Sequence, residues 1–91
     1  MKVIPSKRKE KRFTAIFDDG KKVNFGFKGG STYIDHKDKE KRKNYRARHL
    51  PNEKKFYGDP RRAATLSRFL LWGEETNLSG AIKAYEKKFN V

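Results

Sequence analysis

Polar and apolar residues alternate in two short stretches near the start of the chain, Phe13-Thr14-Ala15-Ile16-Phe17 and Val23-Asn24-Phe25-Gly26-Phe27. The turn-forming run Asp18-Asp19-Gly20 stands between them. Period-two alternation around a turn signal predicts a β-hairpin. A two-residue loop at Asp19-Gly20 would pair Ile16 with Val23 and Thr14 with Phe25, scattering Phe13, Ala15 and Phe17 onto the opposite face. A three-residue loop with Gly20 in the left-handed region instead pairs Phe13 with Phe25 and Ala15 with Val23. That register gathers Phe13, Ala15, Phe17, Val23, Phe25 and Phe27 on one face, because side chains alternate along a strand. Two strands are not stable alone, so helices must cover this face.

After the Gly29-Gly30 turn the apolar period lengthens. Asp35, with Asp38 three residues on, reads as the N-cap of a charged helix from about His36 to Leu50, and Pro51 is expected to end it. Its apolar content is poor: Tyr45, Ala47 and Leu50. In the connection that follows, Phe56 and Tyr57 are expected to tie the chain back to the core. Asp59-Pro60 reads as a helix start running to Trp72, with Gly73 as its stop. At helical spacing Ala63, Leu66, Phe69 and Leu70 share one face, whereas Arg61, Thr65, Arg68 and Trp72 fall opposite. A last helix follows Asn77, with Leu78, Ile82, Tyr85 and Phe89 on one stripe. The pattern predicts an α+β fold, an N-terminal β-hairpin packed on about three helices.

Composition qualifies this picture. Of the 91 residues only 34% are hydrophobic, and the aromatic complement of seven Phe, four Tyr and one Trp must supply much of the core. Residues 1–12 carry Lys2, Lys7, Arg8, Lys9, Lys11 and Arg12 against Glu10, with little to bury, and are read as a basic arm outside a single domain of residues 13–91. No apolar run approaches the roughly 20 residues of a membrane-spanning helix, so no span is expected. Cysteine is absent, which excludes a disulfide scaffold or thiolate metal site.

The formal net charge is +13, from 24 basic and 11 acidic residues. It is concentrated in two segments. Lys7, Arg8, Lys9, Lys11 and Arg12 form one; Lys37, Lys39, Lys41, Arg42, Lys43, Arg46 and Arg48 form the other. Either can neutralise phosphates or meet an acidic protein surface. Trp72 has two readings. With Arg68 one turn before it and suited to cation-π stacking, it can anchor a protein interface; equally, it can pack beneath the Gly73 turn or the polar helix. His36 and His49 are too few and too far apart for a metal site, and Ser67 has no evident base, so neither metal, cofactor nor catalysis is expected.

Several short elements are similar to a known group. They are Phe13-x-Ala15, Phe25-Gly26, Asp35-His36-Lys37-Asp38, Tyr45-x-x-Arg48-His49, Glu53, Asp59-Pro60, and Ser67-Arg68 followed by Leu71-Trp72-Gly73. Together they resemble a family of small basic proteins encoded by large nucleocytoplasmic (giant) DNA viruses of algae and amoebae. One departure is Ala64-Thr65, where the family pattern has a glycine among the small residues. The resemblance implies a virion protein, made in the host cytoplasm or nucleus. The leading expectation is therefore a non-enzymatic minor capsid or capsid-cementing component within a larger assembly, its basic surfaces docking on acidic capsid proteins. The alternative is a sequence-nonspecific nucleic-acid binder that helps package the genome.

Overall fold

The hairpin register expected from the alternation is the one the chain adopts. In the computed structural model, which describes residues 1–91, strands β2 (Lys11–Ile16) and β3 (Lys22–Phe27) run antiparallel, with Phe13 opposite Phe25 and Ala15 opposite Val23. Gly20 closes the loop at φ +87°, and the Phe17 N–H donates to the Lys21 carbonyl across it.

Residues 1–12 do not form the arm expected of them. Lys2–Pro5 is a third strand, β1, antiparallel to β2 in the sheet order β1-β2-β3. Val3 and Ile4 are the apolar residues that make it a strand, and a proline at the end of an edge strand removes no ladder bond. Ser6 is buried and donates to Asn24 Oδ1 at 3.0 Å. Only the β1–β2 turn, Lys7–Glu10, stands clear of the sheet.

One position on the expected apolar face departs from it. Phe25, Ala15 and Phe17 are buried, but Phe27 is 68% exposed. Gly26 explains the difference: at φ +80° it breaks the strand's alternation, and a Cβ there would lie 3.1 Å from both Arg12 Cβ and Leu71 Cδ1.

The helices begin elsewhere than the local signals suggest. Thr32, not Asp35, caps the first helix, α1 (Tyr33–His36), in a reciprocal box: Asp35 Oδ2 accepts from both the Thr32 N–H and its hydroxyl at 2.8 Å. Lys37 then turns left-handed (φ 56°), and Asp38 caps α2 (Lys39–Glu53) through the Glu40 and Lys41 N–H groups. Pro51 lies inside α2 rather than ending it. The carbonyl it leaves without a partner belongs to Ala47, which is exposed and open to water.

A 3₁₀ turn (Lys54–Phe56) follows, and Asp59-Pro60 makes a turn instead of a helix start: Asp59 Oδ1 accepts from the Arg61 N–H at 3.0 Å. Tertiary contacts hold that turn. The Pro60 carbonyl accepts the buried Tyr85 hydroxyl, and Arg61 pairs with Asp19 and covers the Phe17 ring. Helix α3 (Ala63–Leu66) therefore starts three residues after Pro60 and passes directly into a π-helical turn, Ser67–Leu71, closed by the Trp72 N–H to the Ser67 carbonyl at 3.2 Å. The wider winding brings Leu66, Leu70 and Leu71 all into the core. Thr65, expected on the polar side, is also fully buried, its hydroxyl donating to the Phe56 carbonyl at 2.6 Å. Helix α4 (Leu78–Phe89) follows Asn77 as expected, and the Asn77 side chain caps it by accepting from the Gly80 N–H.

The core is one cluster of Ala15, Phe17, Phe25, Leu66, Leu70, Leu71, Ala81 and Tyr85, between one face of the sheet and the α3, π-turn and α4 layer. Helix α2 buries none of its 15 residues. It lies outside that core, and polar and aromatic side chains attach it.

Candidate functional site

Arginine and lysine have separate roles in this molecule. Arg12 forks onto Asp35 at 2.6 and 2.7 Å and also reaches Thr32 Oγ1, tying β2 to α1. Arg42 donates to the Gly73 carbonyl at 3.1 Å and lies over the buried Tyr33 ring. Arg46 donates to the Trp72 carbonyl at 3.1 Å and pairs with Glu74, and Arg68 points at the same Trp72 carbonyl at 3.4 Å. Three guanidinium groups thus gather where the π-helical turn ends and its carbonyl dipoles are unpaired. Arg46 holds the Glu74 carboxyl below its usual range, while burial lowers the Arg68 guanidinium, with Arg46 adding to the effect.

No lysine, by contrast, takes part in any ion pair. A rigid planar fork suits fixed carbonyl and carboxylate partners, whereas the ammonium group is a mobile, hydrated point charge. Of the twelve basic residues picked out by charge clustering, Arg12, Arg42 and Arg46 therefore hold the fold together. Lys7, Arg8, Lys9, Lys11, Lys37, Lys39, Lys41, Lys43 and Arg48 are exposed and free of ion pairs.

The tryptophan is not free. Trp72 is half-buried beneath α2, in a ladder of four rings. His36 lies 5.4 Å from it on one side, Tyr45 stacks on the other at 4.2 Å with planes 5° apart, and His49 stacks on Tyr45 at 4.0 Å. Of its two readings, packing beneath the polar helix is the one the molecule adopts. The Arg68 guanidinium covers Phe69, at 4.8 Å, rather than Trp72. Burial, with Glu53 nearby, pushes the Tyr45 hydroxyl up to about 12.

The ladder forms the wall between two adjoining clefts. The larger, about 530 Å³, is bounded by Phe27 and the Gly30–Thr32 segment, by Tyr45, Arg48, His49 and Glu53 of α2, and by Ala63, Ala64, Ser67, Leu71 and Trp72. Lys11 and Glu10 also line it, so one residue of the first basic segment and one of the second, Lys11 and Arg48, open on the same groove. His49 Nδ1 lies 3.1 Å from Glu53 Oε1. Ser67 opens on this groove but forms no hydrogen bond with His49, and no three His, Asp or Glu side chains converge as a metal-ligand set.

The smaller cleft, about 310 Å³, is lined by Ser31, His36, Lys41, Asn44, Tyr45, Arg48 and Trp72. The Asp38 N–H donates to His36 Nδ1 at 2.9 Å, so in the neutral ring the proton sits on Nε2. That nitrogen is buried with no partner, a state that costs about 1–3 kcal/mol. A third cleft, about 620 Å³, is lined by Arg8, Lys9, Glu10, Lys11, Lys22, Val23 and Asn24 and shares Glu10 and Lys11 with the groove. Lys22 escaped the sequence reading because it joins the basic cluster only through strand pairing, and Phe27 because alternation placed it inside.

A family model described as "Family of unknown function (DUF5754)" matches residues 1–49, which span the sheet, α1 and α2 as far as His49. The match includes His36, Tyr45 and Arg48 and stops before Trp72. No curated protein and no solved structure matches the chain.

Proposed function

We propose that this chain, which belongs to the DUF5754 family of unknown function, is a non-enzymatic, sequence-nonspecific nucleic-acid-binding protein. The observation that carries this reading is the convergence of the two basic segments, through Lys11 and Arg48, on one groove that also displays the exposed ring of Phe27. A free lysine and a free arginine beside an accessible aromatic ring are the kinds of group that a phosphate backbone and its bases engage.

Docking on acidic capsid proteins, which the resemblance to giant-virus proteins implies, is less well supported by the geometry. Its anchors were Arg68 and Trp72, and both are engaged inside the fold. Lysine, which dominates the free charge here, is depleted from protein interfaces. In the virion setting that the resemblance implies, the basic surface would condense or package the genome.

The test is fluorescence anisotropy with labelled single-stranded and duplex oligonucleotides over a range of salt. If about five phosphates are neutralised, log affinity against log salt falls with a slope of about −4.5 on duplex and about −3.5 on single strands. A flat salt response, or no binding of either form at low salt, refutes the reading.

A further inference from the structure

We infer that the smaller cleft, enclosed by α1, α2 and Trp72, is a phosphodiester subsite for single-stranded nucleic acid, with the base of the bound nucleotide lying against Phe27 in the adjoining groove. The inference rests on the nucleic-acid reading above and assigns it a place.

Three features carry it. First, the polar side chains along this cleft are Ser31, Asn44, Lys41 and Arg48, with the rings of His36, Tyr45 and Trp72 and no carboxylate among the lining residues. On a surface where acidic residues serve as partners for arginines, a pocket without one is selectively open to an anion. Second, His36 brings a donor with no partner in the fold. The Asp38 N–H fixes which nitrogen carries the proton; Nε2 is shielded in the free protein, so a phosphate oxygen would accept from it only after the side chains that cover it shift aside. Third, the cleft adjoins the larger groove, since Ser31, Tyr45, Arg48 and Trp72 line both. Glu10 and Glu53 line the larger groove, and the Asp38 carboxylate, next to the smaller cleft, is engaged by the Glu40 and Lys41 N–H groups at the start of α2.

The same geometry points to a single strand rather than a duplex. Tyr45 and Trp72 have their faces taken by each other and by the two histidines, so a base cannot slide between them. Phe27 is the ring that remains available, 68% exposed. Stacking on it needs a base turned out of its pair, which a single strand supplies without unpairing.

The chain has one tryptophan, and it lines both clefts, so its emission reports occupancy of this place while anisotropy reports binding anywhere on the protein. The probe is an oligothymidylate added to the full chain, with duplex DNA, inorganic phosphate and polyglutamate as parallel ligands. The expected result is a saturable change in Trp72 emission with the oligothymidylate, tracking anisotropy, and a weaker change with inorganic phosphate at far higher concentration. Removing the cleft charges with Lys41→Ala and Arg48→Ala together should weaken binding at least about tenfold. Removing the same charge from α4 with Lys83→Ala and Lys87→Ala should weaken it less than about threefold. Phe27→Ala should weaken the single strand about tenfold, as loss of one stacked base does, and leave the duplex nearly unchanged. All five residues are exposed, and far-UV circular dichroism checks that each variant is folded.

Nucleic-acid binding by anisotropy with silent Trp72 emission, or equal losses in the cleft and α4 variants, overturns the subsite and leaves the general reading standing. Loss of all nucleic-acid binding overturns both. An emission change with polyglutamate as strong as that with oligothymidylate overturns the assignment in favour of an acidic protein partner.

Discussion

Asp35→Asn isolates the contact that fastens the sheet to the helical layer above it. The Asp35 carboxylate accepts four hydrogen bonds: two from the Arg12 guanidinium and two from Thr32, one of them completing the α1 cap. An amide of the same shape keeps one oxygen, turns the other position into a donor facing Arg12, and removes the charge. A helix cap contributes about 1 kcal/mol. A charge-assisted pair contributes about 1.5–3 kcal/mol, to be discounted because solvent screens a side chain that is 35% exposed. We expect a loss of about 2 kcal/mol, which lowers Tm by about 8–16 °C in a domain of this size.

The pH dependence carries a sign of its own. Hydrogen bonding to Arg12, with Thr32 adding to it, holds the folded carboxyl well below its ordinary value of 3.8. The stabilisation is therefore complete above that value, where the unfolded chain is also ionised, and is lost as pH falls through the folded-state value. Thermal melts by circular dichroism at pH 7, 5, 3.5 and 2.5 should show a constant gap between wild type and variant at the first two and a narrowing gap at the last two. Asp18→Asn, at a side chain 90% exposed, is the control and should shift Tm by less than about 2 °C. An Asp35→Asn protein that melts with the control, or a gap that widens in acid, refutes the argument.

Two further substitutions test the helical layer. Gly73→Ala places a Cβ on the Phe69 carbonyl oxygen; because the neighbour is backbone, the π-helical turn must shift, and urea denaturation should register a loss of about 2 kcal/mol or more. Thr65→Val removes a buried hydroxyl and leaves the Phe56 carbonyl without its donor, a loss of about 1–3 kcal/mol with the m-value unchanged.

How much of the molecule could be read from its residues depends on whether the deciding interaction was local. The β2–β3 register rests on a turn and an alternation that lie within fifteen residues, and it was legible. Strand β1 has only Val3 and Ile4 to mark it, so the lysines around it dominated the reading. Thr32, Asp35 and Asp38 are all competent caps, and the choice among them depends on Arg12 reaching across from β2. Asp59-Pro60 satisfies every local rule for a helix start but lies beneath Tyr85 and beside Asp19. Thr65 faces inward because the Phe56 carbonyl accepts its hydroxyl, a tertiary contact that helical spacing does not contain. At the candidate site, nine of the twelve basic residues expected to meet a partner are exposed and free of ion pairs, and Arg12, Arg42 and Arg46 are engaged within the fold. The groove itself was not legible, because Phe27, Lys11 and Arg48 come together only through the Gly26 kink and the docking of α2.

The separation of arginine from lysine also accounts for the stability of so charged a chain. A net charge of +13 on a body 36 × 27 × 24 Å repels itself, and α2 has no apolar face to oppose that repulsion. Arg42 and Arg46 offset it by binding backbone carbonyls as well as Glu74, so the cations nearest the core face partial negative charge. The lysines, left at the ends of flexible stems, keep their charge in water, where screening is strongest. A bound polyanion would then neutralise the lysines without disturbing the arginine contacts that position α2. Stabilisation on binding would arise from relieved repulsion along α2 and the β1–β2 turn, while the core remains as it is in the free protein.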